Sequence, residues 1–148
     1  MDRGVLRALH VAGAVLLLGN VTVTGLWAAL LYRWRRSVPF RVVARAILWA
    51  DLVLTLGGGT LLVVSGVLLV RAGGYSVLDT PWLEQGIGAL VVSTLAWLLV
   101  LLPDQWRMER LDPADEAALR RVFLRWSTVG WVATVVLYAG LWAMVTRR

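Results

Sequence analysis

The chain has no cysteine and no lysine, only one histidine, and four prolines in 148 residues. Without cysteine there is no disulfide, no thiolate metal site and no cysteine nucleophile. A single histidine, His10, rules out a two-histidine haem clamp within one chain and any HExxH zinc site. The acids number nine against fifteen arginines, a formal charge of +6. The phosphate loop, the GxSxG elbow and the GxGxxG fingerprint are all absent from the sequence. Nucleic-acid binding is not expected, because the arginines flank apolar runs and form no separate basic domain.

What is abundant is apolar length. Hydrophobic residues make up 59% of the chain and the mean hydropathy is +0.75, above the half-apolar composition of soluble domains. Four runs are long enough to cross a bilayer, at about 20 residues each: Val5 to Tyr32, Ala46 to Val70, Trp82 to Leu102 and Val122 to Val145. Backbone groups inside lipid must pair internally, so each run is read as a helix. The fold class is all-α, a membrane four-helix bundle in one domain over residues 1–148. The first run starts like a signal peptide but runs far past an h-region, with no cleavage signature, and is expected to remain as the first span.

The joints carry start and stop signals. Ser37-Val38-Pro39 opens the second helix and Gly73-Gly74 closes it; Asp79-Thr80-Pro81 opens the third and Asp112-Pro113 the fourth. Asp115 and Glu116 fall in the fourth helix's first turn, where its dipole favours acids. Glu116 and Arg120 have the spacing of an i,i+4 ion pair. Pro103 marks the end of the third span or a kink in it.

Arginine sets the expected orientation. Arg33, Arg35, Arg36, Arg41 and Arg45 fill the first joint, and Arg107, Arg110, Arg120, Arg121 and Arg125 the third joint and its edge. The other side holds five: Arg3, Arg7, Arg71, Arg147 and Arg148. The bias puts both arginine-rich joints in the cytoplasm and both termini outside. The first-joint arginines also suit anionic lipid head groups. Trp34, Trp49, Trp106 and Trp126 then sit at the cytoplasmic boundary, Trp82 and Trp142 at the outer one, as an aromatic belt. Trp27, Trp97 and Trp131 fall deeper and are read as interior.

Each span has one small or polar face at steps of three and four. In span one it runs His10, Gly13, Leu17, Asn20, Thr24, Trp27; in span two Asp51, Thr55, Gly58, Leu62, Ser65; in span three Gly86, Ala89, Ser93, Ala96; in span four Ser127, Trp131, Thr134, Tyr138. Such faces pack helix to helix, with hydroxyls as glue. A small cavity lined by the same groups is the functional alternative. Two ionisable residues stand out, because charge at membrane depth is costly. For Asp51 the expected partner is Arg45 or Arg125, with Thr24 and Ser127 adding hydrogen bonds. For His10, hairpin geometry puts Ser65, Gln85 and Tyr138 at similar depth. The two are no catalytic pair, since their depths differ by roughly 15 Å or more. His10 could serve as one axial haem ligand, with Tyr138 nearby and Met144 as a second ligand, or with a second His10 across a dimer. Copper handling lacks its usual set of ligands.

The stretch Leu9-His10-Val11-Ala12-Gly13-Ala14 with Gly19, the pattern Arg45-Ala46…Ala50-Asp51…Gly58…Gly66, and Thr80-Pro81-Trp82-Leu83 resemble a bacterial family of small predicted integral membrane proteins, domain of unknown function twenty-two sixty-nine. The resemblance implies a four-span bundle in the bacterial inner membrane and supplies no reaction. More distantly, the Leu-His opening and four-span layout are similar to the haem-associated protoporphyrinogen oxidase and the copper-resistance D membrane domain. Only His10 carries over, as the haem ligand which that resemblance implies. The expectation is an accessory or scaffold protein with a polar seam, more a non-enzyme than an enzyme, acting in a dimer or membrane complex. A haem-binding redox protein using His10 is the alternative, and proton or small-solute passage by Asp51 ranks third.

Overall fold

Proline, glycine and aspartate break the apolar chain into four long helices. The computed structural model describes residues 2–112 and 114–147. The helices are α1 (Arg3–Arg33), α2 (Phe40–Gly73), α3 (Pro81–Arg110) and α4 (Glu116–Thr146), each long and apolar enough to cross a membrane. At 30 to 34 residues each measures about 45–50 Å, against about 30 Å of hydrocarbon. They therefore overshoot the apolar layer. The excess of α2, α3 and α4 gathers at the arginine-rich end of the bundle.

The stops work as their chemistry requires. Pro39 precedes Phe40 in an extended conformation. Gly74 adopts φ +68°; its N–H donates to Arg71 O and that of Tyr75 to Val70 O, which closes α2 in the left-handed turn that glycine permits. Pro81 stands in the first turn of α3. Asp115 is the cap of α4 rather than part of its first turn, its Oδ1 accepting the Ala118 N–H at 2.9 Å. Pro113, half of the expected start signal, lies outside the described residues, as do Met1 and Arg148.

Two expectations at this end are corrected. Of the two readings of Pro103, an end or a kink, the helix does not end there: α3 continues to Arg110. A π-turn at Trp97–Leu101 precedes the proline, widening the helix where the ring removes an N–H and crowds a carbonyl. Glu116 also does not pair with Arg120. It meets Arg35 at 3.4 Å and Arg36 at 3.6 Å, because the α1–α2 joint folds over the start of α4.

The packed core also lies at the arginine-rich end. Tyr32 stacks on Phe123 at 3.9 Å, and Phe40 meets both edge-on at 5.6 and 5.5 Å. Trp126 belongs here, 6% exposed, and not to the interfacial belt. Trp34, Trp49, Trp106 and Trp142 are exposed as a belt requires.

Elsewhere the helices pack in pairs. On α1 and α2, Gly13 and Gly58 bring backbones together: a Cβ on Gly13 would lie 2.6 Å from Leu62 N, and one on Gly58 2.9 Å from Leu17 N. On α3 and α4, Gly140 sits against Ala89 and Gly86. The start of α2 (Phe40–Ala50) packs on the end of α3 (Leu102–Arg110), and α1 touches α4. Among the described residues, Leu56–Gly73 of α2 approaches neither Pro81–Ala96 of α3 nor α4. The bundle is closed at the arginine-rich end and open between α2 and α3 toward the termini.

Candidate functional site

The floor of that opening is a buried polar lock. α2 widens into a π-turn at Asp51–Thr55, where the Leu56 N–H bonds to Asp51 O, five residues back. Such turns frequently occur at functional sites. This one presents both Asp51 and Thr55 inward. Asn20 of α1 donates from Nδ2 to Asp51 Oδ1 and to Thr55 Oγ1, each at 2.8 Å. Thr55 donates to Asp51 Oδ1 at 3.3 Å. Gln105 of α3 donates from Nε2 to Asp51 Oδ2 at 2.6 Å. Trp97 Nε1 is buried and, among the described residues, has no hydrogen-bond partner. One carboxylate thus gathers donors from three helices, none of them cationic.

The expected arginine partners are engaged elsewhere. Arg45 donates to Glu109 at 2.7 Å. Arg125 clasps Asp104 with two hydrogen bonds, one of 2.8 Å from Nε, while Arg107 approaches the same acid at 3.5 Å. Asp104 is 0% exposed and Gln105 1%. These neighbours tie α3 to α4 and to α2. Thr24 and Ser127, expected beside Asp51, line the adjoining cavity; Thr24 donates to Asn20 O. Reading residues 103–112 as a joint concealed Asp104 and Gln105. A signal was present: Leu101, Asp104, Gln105 and Met108 repeat at helical spacing, and the last three are buried.

Above the lock lies a cavity of about 340 Å³ reached by all four helices. Its walls are mainly aliphatic, with Trp97, Trp126 and Trp131 on one side and Ser93 and Thr134 among its hydroxyls. Val63 and Val64 of α2 and Leu90 of α3 form its rim where those helices part. Trp27, expected inside, is 56% exposed.

The haem candidates have separate partners. His10 Nδ1 lies 2.9 Å from Leu62 O and 3.3 Å from Ser65 Oγ. A carbonyl only accepts, so Nδ1 carries a proton, and in the neutral ring Nε2 keeps its lone pair. Ser65 therefore does meet His10. Tyr138 instead places its hydroxyl 3.1 Å from that of Thr22, about 18 Å along α1 from His10 at about 1.5 Å per residue. Met144 packs against Gly86 of α3. Among the described residues, no three His, Cys, Asp or Glu side chains cluster as metal ligands. Tyr138 and Met144 thus each meet a different neighbour from those of His10.

Of the first-joint arginines, Arg35, Arg36 and Arg45 meet carboxylates. Arg33 and Arg41 are exposed and, among the described residues, have none.

Residues 4–148 match the family described as "Predicted integral membrane protein (DUF2269)". No curated protein and no solved structure matches the chain. The distant likeness to the oxidase and the copper-resistance domain gains no support there.

Proposed function

We propose that this chain, which belongs to the DUF2269 family of predicted integral membrane proteins, is a non-enzymatic accessory protein of the bacterial inner membrane that holds a lipid-facing cavity open. The carrying observation is the Asp51 lock, which spans α1, α2 and α3 directly beneath the place where α2 and α3 separate. Both carboxylate oxygens already accept donors from the protein, which favours holding over shuttling a proton. The arginine bias supports cytoplasmic joints with both termini outside. A dimer or a larger membrane complex would bring a partner to the open side.

Because the natural chain lacks cysteine, a single thiol at Val64 reports on that side alone. The thiolate that maleimides need does not form in hydrocarbon, so the label is attached in detergent. After reconstitution, a bimane on Val64→Cys should be quenched by lipids brominated along the acyl chain. Absence of quenching would overturn the open-sided reading.

A second reading is haem binding through His10. Donation of the Nδ1 proton to Leu62 O leaves Nε2 as a free ligand, the usual arrangement of a histidine that binds metal. A Soret band that disappears in His10→Ala would establish it; purified protein that takes up no added haem would end it.

A further inference from the structure

The exposed face of α3 changes character at Pro103. Leu95, Leu99, Pro103, Trp106 and Arg110 recur at steps of three and four and so share one side of the helix. Before the proline that side is apolar, with Leu95 half-exposed and Leu99 71% exposed. After it come Trp106, also half-exposed, and the exposed Arg107 and Arg110. There the surface forms a hollow of about 420 Å³, lined by Pro103, Trp106, Arg107, Arg110 and Leu111. It shares no residue with the cavity between the helices.

Two guanidiniums and no acid stand in that wall. The nearby acids are engaged elsewhere. Arg107 reaches Asp104 at 3.5 Å, but Arg125 already clasps that carboxylate, so one buried negative charge serves two arginines. Glu109 belongs to Arg45, and Asp112 accepts the Ala114 N–H. Arg110 meets no carboxylate among the described residues. Three positions apart on a helix, Arg107 and Arg110 have Cβ atoms about 5–6 Å apart, close enough for both to donate to one phosphate. A head group with its own ammonium would set a cation against them; one whose sole charge is the phosphate would not. A dissolved phosphate makes no use of Leu95 and Leu99, whereas an acyl chain can lie along them. Trp106 stands where the face turns from apolar to charged, the usual place of an interfacial indole.

We propose that the end of α3 binds one anionic phospholipid, its phosphate between Arg107 and Arg110 and an acyl chain along Leu99 and Leu95. The site uses neither the opening between α2 and α3 nor the first-joint arginines.

With no natural cysteine in the chain, a bimane on Leu99→Cys reports on this face alone. The full labelled chain in mild detergent is titrated with phosphatidylglycerol or phosphatidylcholine, each brominated along the acyl chain. Phosphatidylglycerol should quench saturably and phosphatidylcholine more weakly. Arg110→Gln should weaken phosphatidylglycerol binding about fivefold, the scale of one arginine beside an anionic head, and Arg107→Gln should do the same. Arg110 has no carboxylate to lose, which keeps its variant clear of folding defects. Arg120→Gln, the same charge change on an exposed residue outside the hollow, should leave binding unchanged. Equal quenching by the two lipids, equal weakening in Arg120→Gln, or absence of saturation overturns the proposal. Inorganic phosphate and glycerophosphoglycerol should not compete at the concentration where the lipid saturates. If either restores the fluorescence there, the ligand is a soluble phosphate and the lipid assignment falls.

Discussion

Gln105 donates to Asp51 across 2.6 Å and so joins α3 to α2 below the level where the two helices diverge. Neither residue is more than 5% exposed. A buried carboxylate without a cation depends on such donors, and leaving one group unpaired costs more than the bond itself contributes.

Removing a single member of the lock should therefore be felt strongly. Asn20→Ala and Gln105→Ala are each expected to destabilise the protein by about 1–3 kcal/mol. Because both serve one carboxylate, the double variant should deviate from the sum of the two. Unfolding in detergent followed by circular dichroism measures this. Additive effects would mean that the two donors act independently of Asp51.

Neighbouring glycines of α2 should behave differently. A Cβ on Gly58 would lie 2.8 Å from Leu16 Cβ and 2.9 Å from Leu17 N, whereas Gly57 and Gly59 have nothing within 4 Å. Gly58→Ala is expected to cost about 1–3 kcal/mol by pushing α1 from α2. Gly57→Ala should be neutral or should stabilise by up to about 1 kcal/mol through helix propensity. Equal effects in thermal melts would contradict the backbone contact at Gly58.

Arg125 and Arg120 provide another contrast. Arg125 clasps buried Asp104, while Arg120 is exposed. Arg125→Gln should lower the melting temperature clearly and Arg120→Gln hardly at all. Asp104→Asn should lower it as well, since two arginines lose their shared anion.

Head-group binding should follow the arginines without carboxylate partners. In flotation with anionic vesicles, Arg33→Gln with Arg41→Gln should reduce retention more than Arg36→Gln, because Arg36 already meets Glu116. About 1 kcal/mol per exposed arginine is the expected scale. No difference between the variants would leave these arginines a topological role alone.

Four helices, most of their turn signals and part of the polar face of each could be read from residue order, though Trp27, Trp131 and Tyr138 of those faces are exposed. Hydrocarbon demands about 20 apolar residues per crossing, and helical spacing places Asn20, Thr55, Ser65, Ser93 and Thr134 inward, where all are buried. Local chemistry carried that much because it acts within a few turns of one helix. The pairing of the polar groups was a different matter. Charge and depth pointed Asp51 toward Arg45 or Arg125, but each arginine had a nearer acid, Glu109 and Asp104. The donors that reached Asp51 from other helices came from α1 and from an extension of α3 beyond Pro103. Two π-turns, invisible in hydropathy, turned the helix faces at that level. Which helices meet, and where α2 and α3 part, depends on contacts between residues distant in the chain, and only the folded bundle sets those.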